Sequence, residues 1–351
     1  MLQQLDLENF TVFSNDSLVF SPGLNIVIGE NGTGKSHLLK IGYVAAQVAY
    51  RIGKSQRQTK DAMGRQLADK LITVFRPDSL GRLVSRKRKP GLNRCDVVVK
   101  LAAPGEGCKF AFSFATNSKT DVRLDSVPSE FPDAGPIFIP TREMLSVFPG
   151  FAAAYRQREL EFDETYYDLA LALEDRPLRG KRPASASALI GNLEDIMEGQ
   201  VVVENGRFYL RPNAAGADSL EMPLVAEGVR KVAMVAYLLV NGWLKDKSTL
   251  FWDEPETNLN PRLLRNVAET LMALAQQGVQ VIAATHSLFL LRELEILKSD
   301  QRYKRLATRY FALAPTADEV HVSVGDRVED VDPIAMLDAD LEQSGRYMDL
   351  D

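Results

Sequence analysis

The octapeptide Gly29-Glu30-Asn31-Gly32-Thr33-Gly34-Lys35-Ser36 fits the pattern GxxxxGK[ST]. Its chemistry is that of a phosphate cradle. Glycines let backbone N–H groups curl around an anion without side-chain clashes, and a helix opening at Lys35 adds its positive end. Lys35 would reach the outer phosphates of a triphosphate, and Ser36 would offer its hydroxyl to Mg²⁺. A second cluster lies far downstream, where the apolar run Thr249-Leu250-Phe251-Trp252 ends in Asp253-Glu254. Asp253 is placed to hold the metal, through water, and Glu254 to orient or deprotonate an attacking water. Taken alone, two acids closing an apolar run are an ordinary solvated strand end. Paired with a phosphate loop they become specific. His286 follows one helix and one strand later and would hydrogen-bond the terminal phosphate; a lone His there is otherwise a capping residue.

These residues need elements that hold them at neighbouring strand ends. Gly23–Ile28 reads as a strand entering the phosphate loop, and a helix runs from Lys35 to about Tyr50. Upstream, Leu5–Phe13 reads as an edge strand followed by a turn at Asn15–Asp16. Another helical stretch covers Ser55–Phe75. Cys95–Ala102 and Lys109–Ala115 read as strands joined by Pro104-Gly105-Glu106-Gly107, and Ile137–Ile139 as a short buried strand. Residues 144–223 have a different texture. Helical patterns at Glu161–Leu173 and Ala186–Glu198 flank the loop Arg176–Pro183, and a hairpin Gln200–Val203/Arg207–Arg211 turns at Asn205-Gly206. Helix Glu227–Asn241, strand Thr249–Trp252, a helix opened by Pro261 and closed by Gly278, and strand Val279–Ala284 alternate as in a largely parallel sheet. The expected organisation is an ATPase core split into 1–143, with an insertion at about 50–95, and 224–351, separated by an inserted helical arm or lid at 144–223.

Composition limits the settings. With 45% hydrophobic residues in 351, a sizeable core is available. No apolar run is long enough for a bilayer, Met1–Phe10 lacks a leader's basic start, and two cysteines make neither a disulfide scaffold nor a zinc site. A cytoplasmic protein without a membrane partner is expected. A net charge of −5 argues against a wholly basic surface. Locally, Arg82, Arg86, Lys87, Arg88, Lys89 and Arg94 form an acid-free run. It would grip a nucleic-acid backbone, dock an acidic partner, or simply be solvated. Tyr166 and Tyr167 read as packing residues ahead of base-stacking ones.

Asp253-Glu254-Pro255-Glu256-Thr257-Asn258-Leu259-Asn260-Pro261 resembles the Walker B and D-loop of ABC-type ATPases of the non-transporter branch. Ala284-Thr285-His286-Ser287 resembles the H-loop of that branch, and Leu7-Glu8-Asn9-Phe10 with Phe13 resembles its N-terminal strand. The branch includes chromosome-maintenance (SMC) proteins, RecF-like repair ATPases and OLD-type ATPases of phage defence. The resemblance implies an α/β head with a mixed or parallel sheet, ATP and Mg²⁺ as cofactors, and Phe13 near the adenine. It also implies a homodimer or higher oligomer formed through the nucleotide site. One departure stands out. Where a Leu-Ser-Gly-Gly-Gln signature is expected, the chain has Leu224-Val225-Ala226-Glu227-Gly228, which keeps Gly228 but replaces the serine with Ala226. Glu143 is the candidate for the glutamine-loop metal contact, with Arg142 as an alternative phosphate contact. The tail after His286 is expected to leave no room for an OLD-type nuclease domain. That points to the ATPase half of an anti-phage system holding or triggering a separate nuclease or toxin. The rival is a RecF/SMC-like ATPase that clamps DNA directly. The loose signature and the Leu7–Phe10 pattern disfavour a transporter subunit.

Overall fold

A computed structural model describes residues 1–85, 93–105, 107–180, 183–316 and 319–349. Arg86, Lys87, Arg88 and Lys89 of the basic run, and Glu106 of the proposed turn, lie outside the described residues. The chain opens with strands β1 (Leu2–Phe10), β2 (Phe13–Val19) and β3 (Leu24–Gly29), then helices α1 (Lys35–Lys54) and α2 (Lys60–Phe75). Strands β4 (Arg94–Leu101), β5 (Cys108–Ala115), β6 (Arg123–Leu124) and β7 (Pro136–Ile139) follow. Helices α3 (Phe151–Arg156), α4 (Glu164–Glu174) and α5 (Ala184–Met197) precede β8 (Gly199–Glu204), β9 (Arg207–Pro212) and β10 (Leu220–Glu221). The last third holds α6 (Glu227–Val240), β11 (Thr249–Asp253), α7 (Pro261–Gln276) and β12 (Gln280–Thr285). It continues with α8 (Leu288–Lys298), β13 (Thr308–Pro315), β14 (Val320–Gly325) and α9 (Ala335–Met348).

The strands form three sheets. The central one has the order β14-β13-β3-β12-β11-β7, and every pairing in it except β13 with β14 is parallel. The second, β2-β1-β4-β5-β6, is antiparallel, and a small β10-β9-β8 sheet lies within residues 144–223. Parallel strands covered on both faces are apolar throughout, because alternate residues feed different cores. In β12, Val281 and Ala283 join one hydrophobic cluster, while Ile282 and Ala284 join the other. The first cluster also takes side chains from α6, α7, α8 and residues 144–223. The second is filled by α1 and the antiparallel sheet. Gln280 joins the two sheets from inside: its amide accepts from Leu2 N at 2.6 Å and donates to Leu2 O and Ser21 O at 2.7 and 2.8 Å. Among the described residues, no helix is long and apolar enough to cross a membrane.

Several boundaries differ from the sequence reading, each for a local reason. Strand β1 is interior, flanked by β2 and β4, and the reversal after it falls at Thr11–Val12. Asn15 and Asp16, read as a turn, pair in register with Glu8 and Leu7 instead. Helix α1 runs four residues past Tyr50, since Ile52 still fits its buried stripe. Helix α4 starts at Glu164 because Asp163 caps it, accepting from Thr165 N at 2.9 Å. Arg82 sits in a short 3₁₀ turn, Leu80–Leu83, and Arg94 opens β4.

Candidate nucleotide site

The phosphate loop links the C-terminal end of β3 to α1. Gly34, just before α1, sits at φ 91°, and a Cβ there would lie 2.5 Å from Val12 Cγ2. Both the backbone angle and the space select glycine. Lys35 is 5% exposed and folds back over the loop, its Nζ donating to Gly29 O at 2.8 Å and Glu30 O at 2.9 Å. Burial lowers its pKa, while the carboxylates of Glu254, Asp253, Glu256 and Glu30 pull it up. Thr33 closes the turn by donating to Glu30 O at 2.8 Å. Glu30, Asn31 and Gly32 are exposed, so the loop's outer rim is open to a ligand.

Parallel pairing of β12 with both β3 and β11 brings the acidic cluster to the same end of the sheet. Asp253, last residue of β11, is buried beside Ser36 of the phosphate loop. Its Oδ1 is buried with no protein partner; burial raises its pKa, and the Ser36 side chain pulls it down. An orphaned carboxylate oxygen beside a hydroxyl is a hard-oxygen donor set, which fits Mg²⁺. Glu254 sits at φ 48°, a left-handed conformation uncommon for a residue with a side chain. Its N–H donates to Ala284 O at 3.0 Å, which fixes the turn against β12. His286 Nδ1 lies 3.3 Å from Glu254 Oε1 and 3.4 Å from Glu256 Oε1, and the ring is 45% exposed on its other side. One cradle, two acids and one imidazole therefore share a single strand-end surface.

Two sequence expectations are corrected here, for Phe13 and Glu143. Phe13 is fully buried in the cluster beneath the phosphate loop and has no face free for an adenine; half-buried Val12 lies against the loop instead. Glu143 does not turn towards a metal. Its carboxylate meets Arg230 Nε at 2.8 Å and accepts from the Ser146 hydroxyl and from Ser146 N at 3.2 Å. Gly228 is buried, and a Cβ there would meet Leu263 and Leu259 at 2.6 and 2.9 Å, so this glycine serves the close approach of α6 to the D-loop and α7. Beside it Ala226 and Leu224 are exposed. Arg142 is also exposed. Tyr167 stacks on Tyr155 with ring centroids 4.8 Å apart.

Sequence reasoning passed over Glu256 and Lys231. Glu256 accepts from Thr285 Oγ1 at 2.6 Å and from His286 N at 2.9 Å. Lys231, 1% exposed, donates to Thr257 O at 2.8 Å and Pro255 O at 3.4 Å. The available signal was a second acid in Asp253-Glu254-Pro255-Glu256 and a cation on the apolar face of α6.

Fold and site together are similar to those of P-loop ATPase domains. A family model described as "AAA domain, putative AbiEii toxin, Type IV TA system" matches residues 132–292, and one described as "AAA domain" matches residues 4–41. Among curated proteins, the chain is similar to the DNA replication and repair protein RecF of Limosilactobacillus fermentum, 38% identical over 61 residues. That match covers 17% of this chain and 15% of that protein. RecF of Geobacillus thermodenitrificans is 37% identical over 60 residues, again 17% of this chain and 15% of the relative. The matched stretch is thus a small fraction of each relative's length. Among solved structures, an SMC head bound to the C-terminal winged-helix domain of ScpA superposes with a TM-score of 0.54 at 13% identity. It covers 93% of this chain and 98% of that one. An SMC head with an extended coiled coil, bound to the C-terminal domain of ScpA derived from Pyrococcus furiosus, gives 0.52 at 12% identity, covering 99% and 98%. These structures share the fold.

Proposed function

We propose that ATP and Mg²⁺ occupy the loop Gly29–Ser36 and that turnover drives two or more copies of the chain together and apart. The observation that carries this is the buried Asp253 carboxylate beside Ser36, with its Oδ1 left unpartnered. Ser36 and Asp253 would hold the metal, whose charge would offset that of the phosphates when bound. Lys35 would exchange the carbonyls of Gly29 and Glu30 for phosphate oxygens. Glu254 would orient water and take its proton, and His286 would contact the terminal phosphate. The exposed start of α6, at Ala226, is the surface a second copy would bring to the nucleotide. Lys35→Ala tests the reading: affinity for a fluorescent ATP analogue should fall by at least about 30-fold, the loss of one desolvated phosphate cation. Unchanged affinity would remove the assignment of this loop.

For the biological setting we favour an ATPase subunit that holds or triggers a separate effector, a nuclease or toxin, in bacterial anti-phage defence. The reading rests on the resemblance of Asp253–Pro261 and Ala284–Ser287 to OLD-type ATPases. A second reading, direct action on DNA in repair or chromosome maintenance, has at least equal support from the RecF matches. Neutralising Arg86, Lys87, Arg88 and Lys89 together separates the two. If they contact a nucleic-acid backbone, affinity should fall for any base sequence, and each lost contact should remove roughly one unit of salt-dependence slope. If they dock an effector, DNA affinity should stay and partner co-purification should be lost.

A further inference from the structure

Glu256 is a buried acid beside the nucleotide site with no role in the steps proposed above. Its side chain is 6% exposed, and its contacts are made to the segment that carries His286. Oε1 takes three approaches from one short segment: the Thr285 hydroxyl at 2.6 Å, His286 N at 2.9 Å and His286 Nδ1 at 3.4 Å. Ser287 N extends the chain by donating to Thr285 Oγ1 at 2.9 Å. Oε2 is buried with no partner. A carboxylate desolvated this far, with one oxygen unsatisfied, is an arrangement that stability alone disfavours.

The turn carrying Glu256 is itself pinned. Glu254 and Asn258 both have left-handed backbones, at φ 48° and 62°, so the chain doubles back sharply on either side of Glu256. Lys231 bonds the carbonyls of Pro255 and Thr257, the residues flanking Glu256, from a fully buried position on α6. On the other side, His286 has a half-exposed ring and depends on its backbone tether to keep Nδ1 near Glu254 Oε1.

We propose that Glu256 is a positioning residue for ATP hydrolysis, tying the segment Thr285–Ser287 to the Asp253–Asn258 turn so that His286 and Glu254 face the same phosphate. Its effect passes through His286, and Lys231 makes the turn rigid enough for the tether to work. The inference rests on the ATPase reading above and adds to it a residue that acts on turnover and not on binding. A misplacement of about 1 Å in a catalytic group costs on the order of 100-fold in rate, so a tether of this kind has a measurable kinetic signature.

The experiment compares steady-state ATP hydrolysis and equilibrium binding of mant-ATP for the full chain and for E256A, E256Q, T285V, H286A and the double variant E256A/H286A. For E256A, kcat should fall about 10- to 100-fold, with mant-ATP affinity within about threefold of the unsubstituted chain. Because the amide oxygen of Gln can still accept from Thr285 and His286 N, E256Q should recover most of that loss. The double variant should be no more than about twofold slower than H286A, since both changes act through one group. If E256A does not fold, T285V decides, and it should lower kcat by about three- to tenfold without weakening binding. The inference is overturned if E256A, or T285V in its place, turns over at the normal rate, if binding falls in step with kcat, or if the double variant shows the full product of the two single losses. Turnover in the unsubstituted chain alongside any of these leaves the ATPase reading standing. No turnover in the unsubstituted chain overturns that reading and this inference with it.

Discussion

Asp253 is costly for the fold and useful for the chemistry. Its carboxylate is buried at the end of β11, Oδ1 has no partner, and burial raises its pKa. An acid whose folded-state pKa lies above its unfolded value makes folding less favourable as pH rises through the folded value. The penalty is absent below the unfolded value of about 3.9. Asp253→Asn should therefore raise the melting temperature at pH 7 by a few degrees, corresponding to about 1 kcal/mol, and abolish hydrolysis. The stabilisation should fade as the pH is lowered towards 4, which a thermal melt series measures. Residues in the phosphate loop and the Asp253-Glu254 pair were legible in the sequence because fixed spacing and residue type carry their chemistry. Glu256 and Lys231 were not, because their roles depend on which backbone atoms the turn at Glu254 presents. Phe13 was misplaced for a similar reason: only the tertiary packing shows that Gly34 sits over Val12 and Phe13.

Between elements, a polar cluster docks α4 on the two helices that follow the phosphate loop. Asp168 is 7% exposed and accepts from Tyr43 Oη at 2.5 Å, from Arg51 at 2.9 Å and from Lys70, while Lys40 pairs with Asp163 at 2.8 Å. Lys70 is itself 3% exposed and meets Glu164 at 3.0 Å. Asp168→Ala should destabilise the chain by about 3 kcal/mol, read by urea unfolding, because it strips one of two acids from a buried ammonium and leaves the Tyr43 hydroxyl unpaired. Glu143 and Arg230 make a comparable link between the segment after β7 and α6, which is why Glu143 is not free for a metal. Element types were readable from periodicity, but partners were not. Alternating apolar residues in β1 look the same for an edge and an interior strand, and its second neighbour, β4, lies some 90 residues away in sequence. Polar Asn15–Asp16 reads as a turn until its register with β1 places it inside strand β2. Strands β13 and β14 went unread, although β13 lies next to β3 in the central sheet.

At the scale of the whole molecule, the phosphate loop, the Asp253-Glu254 turn and His286 form one surface on the C-terminal edge of the central sheet, with the start of α6 exposed nearby. If association follows ATP binding, a variant arrested before hydrolysis should accumulate as a larger species. Light scattering of Glu254→Gln should show an ATP-dependent rise in mass, about twofold for a dimer. An unchanged mass would argue against nucleotide-driven assembly. The central claim is that this surface hydrolyses ATP with Glu254 handling the attacking water, and steady-state ATP turnover of Glu254→Gln beside the unsubstituted chain tests it most directly. Turnover should drop by about 100-fold or more while mant-ATP binds with undiminished affinity. Turnover by Glu254→Gln at the rate of the unsubstituted chain would contradict it.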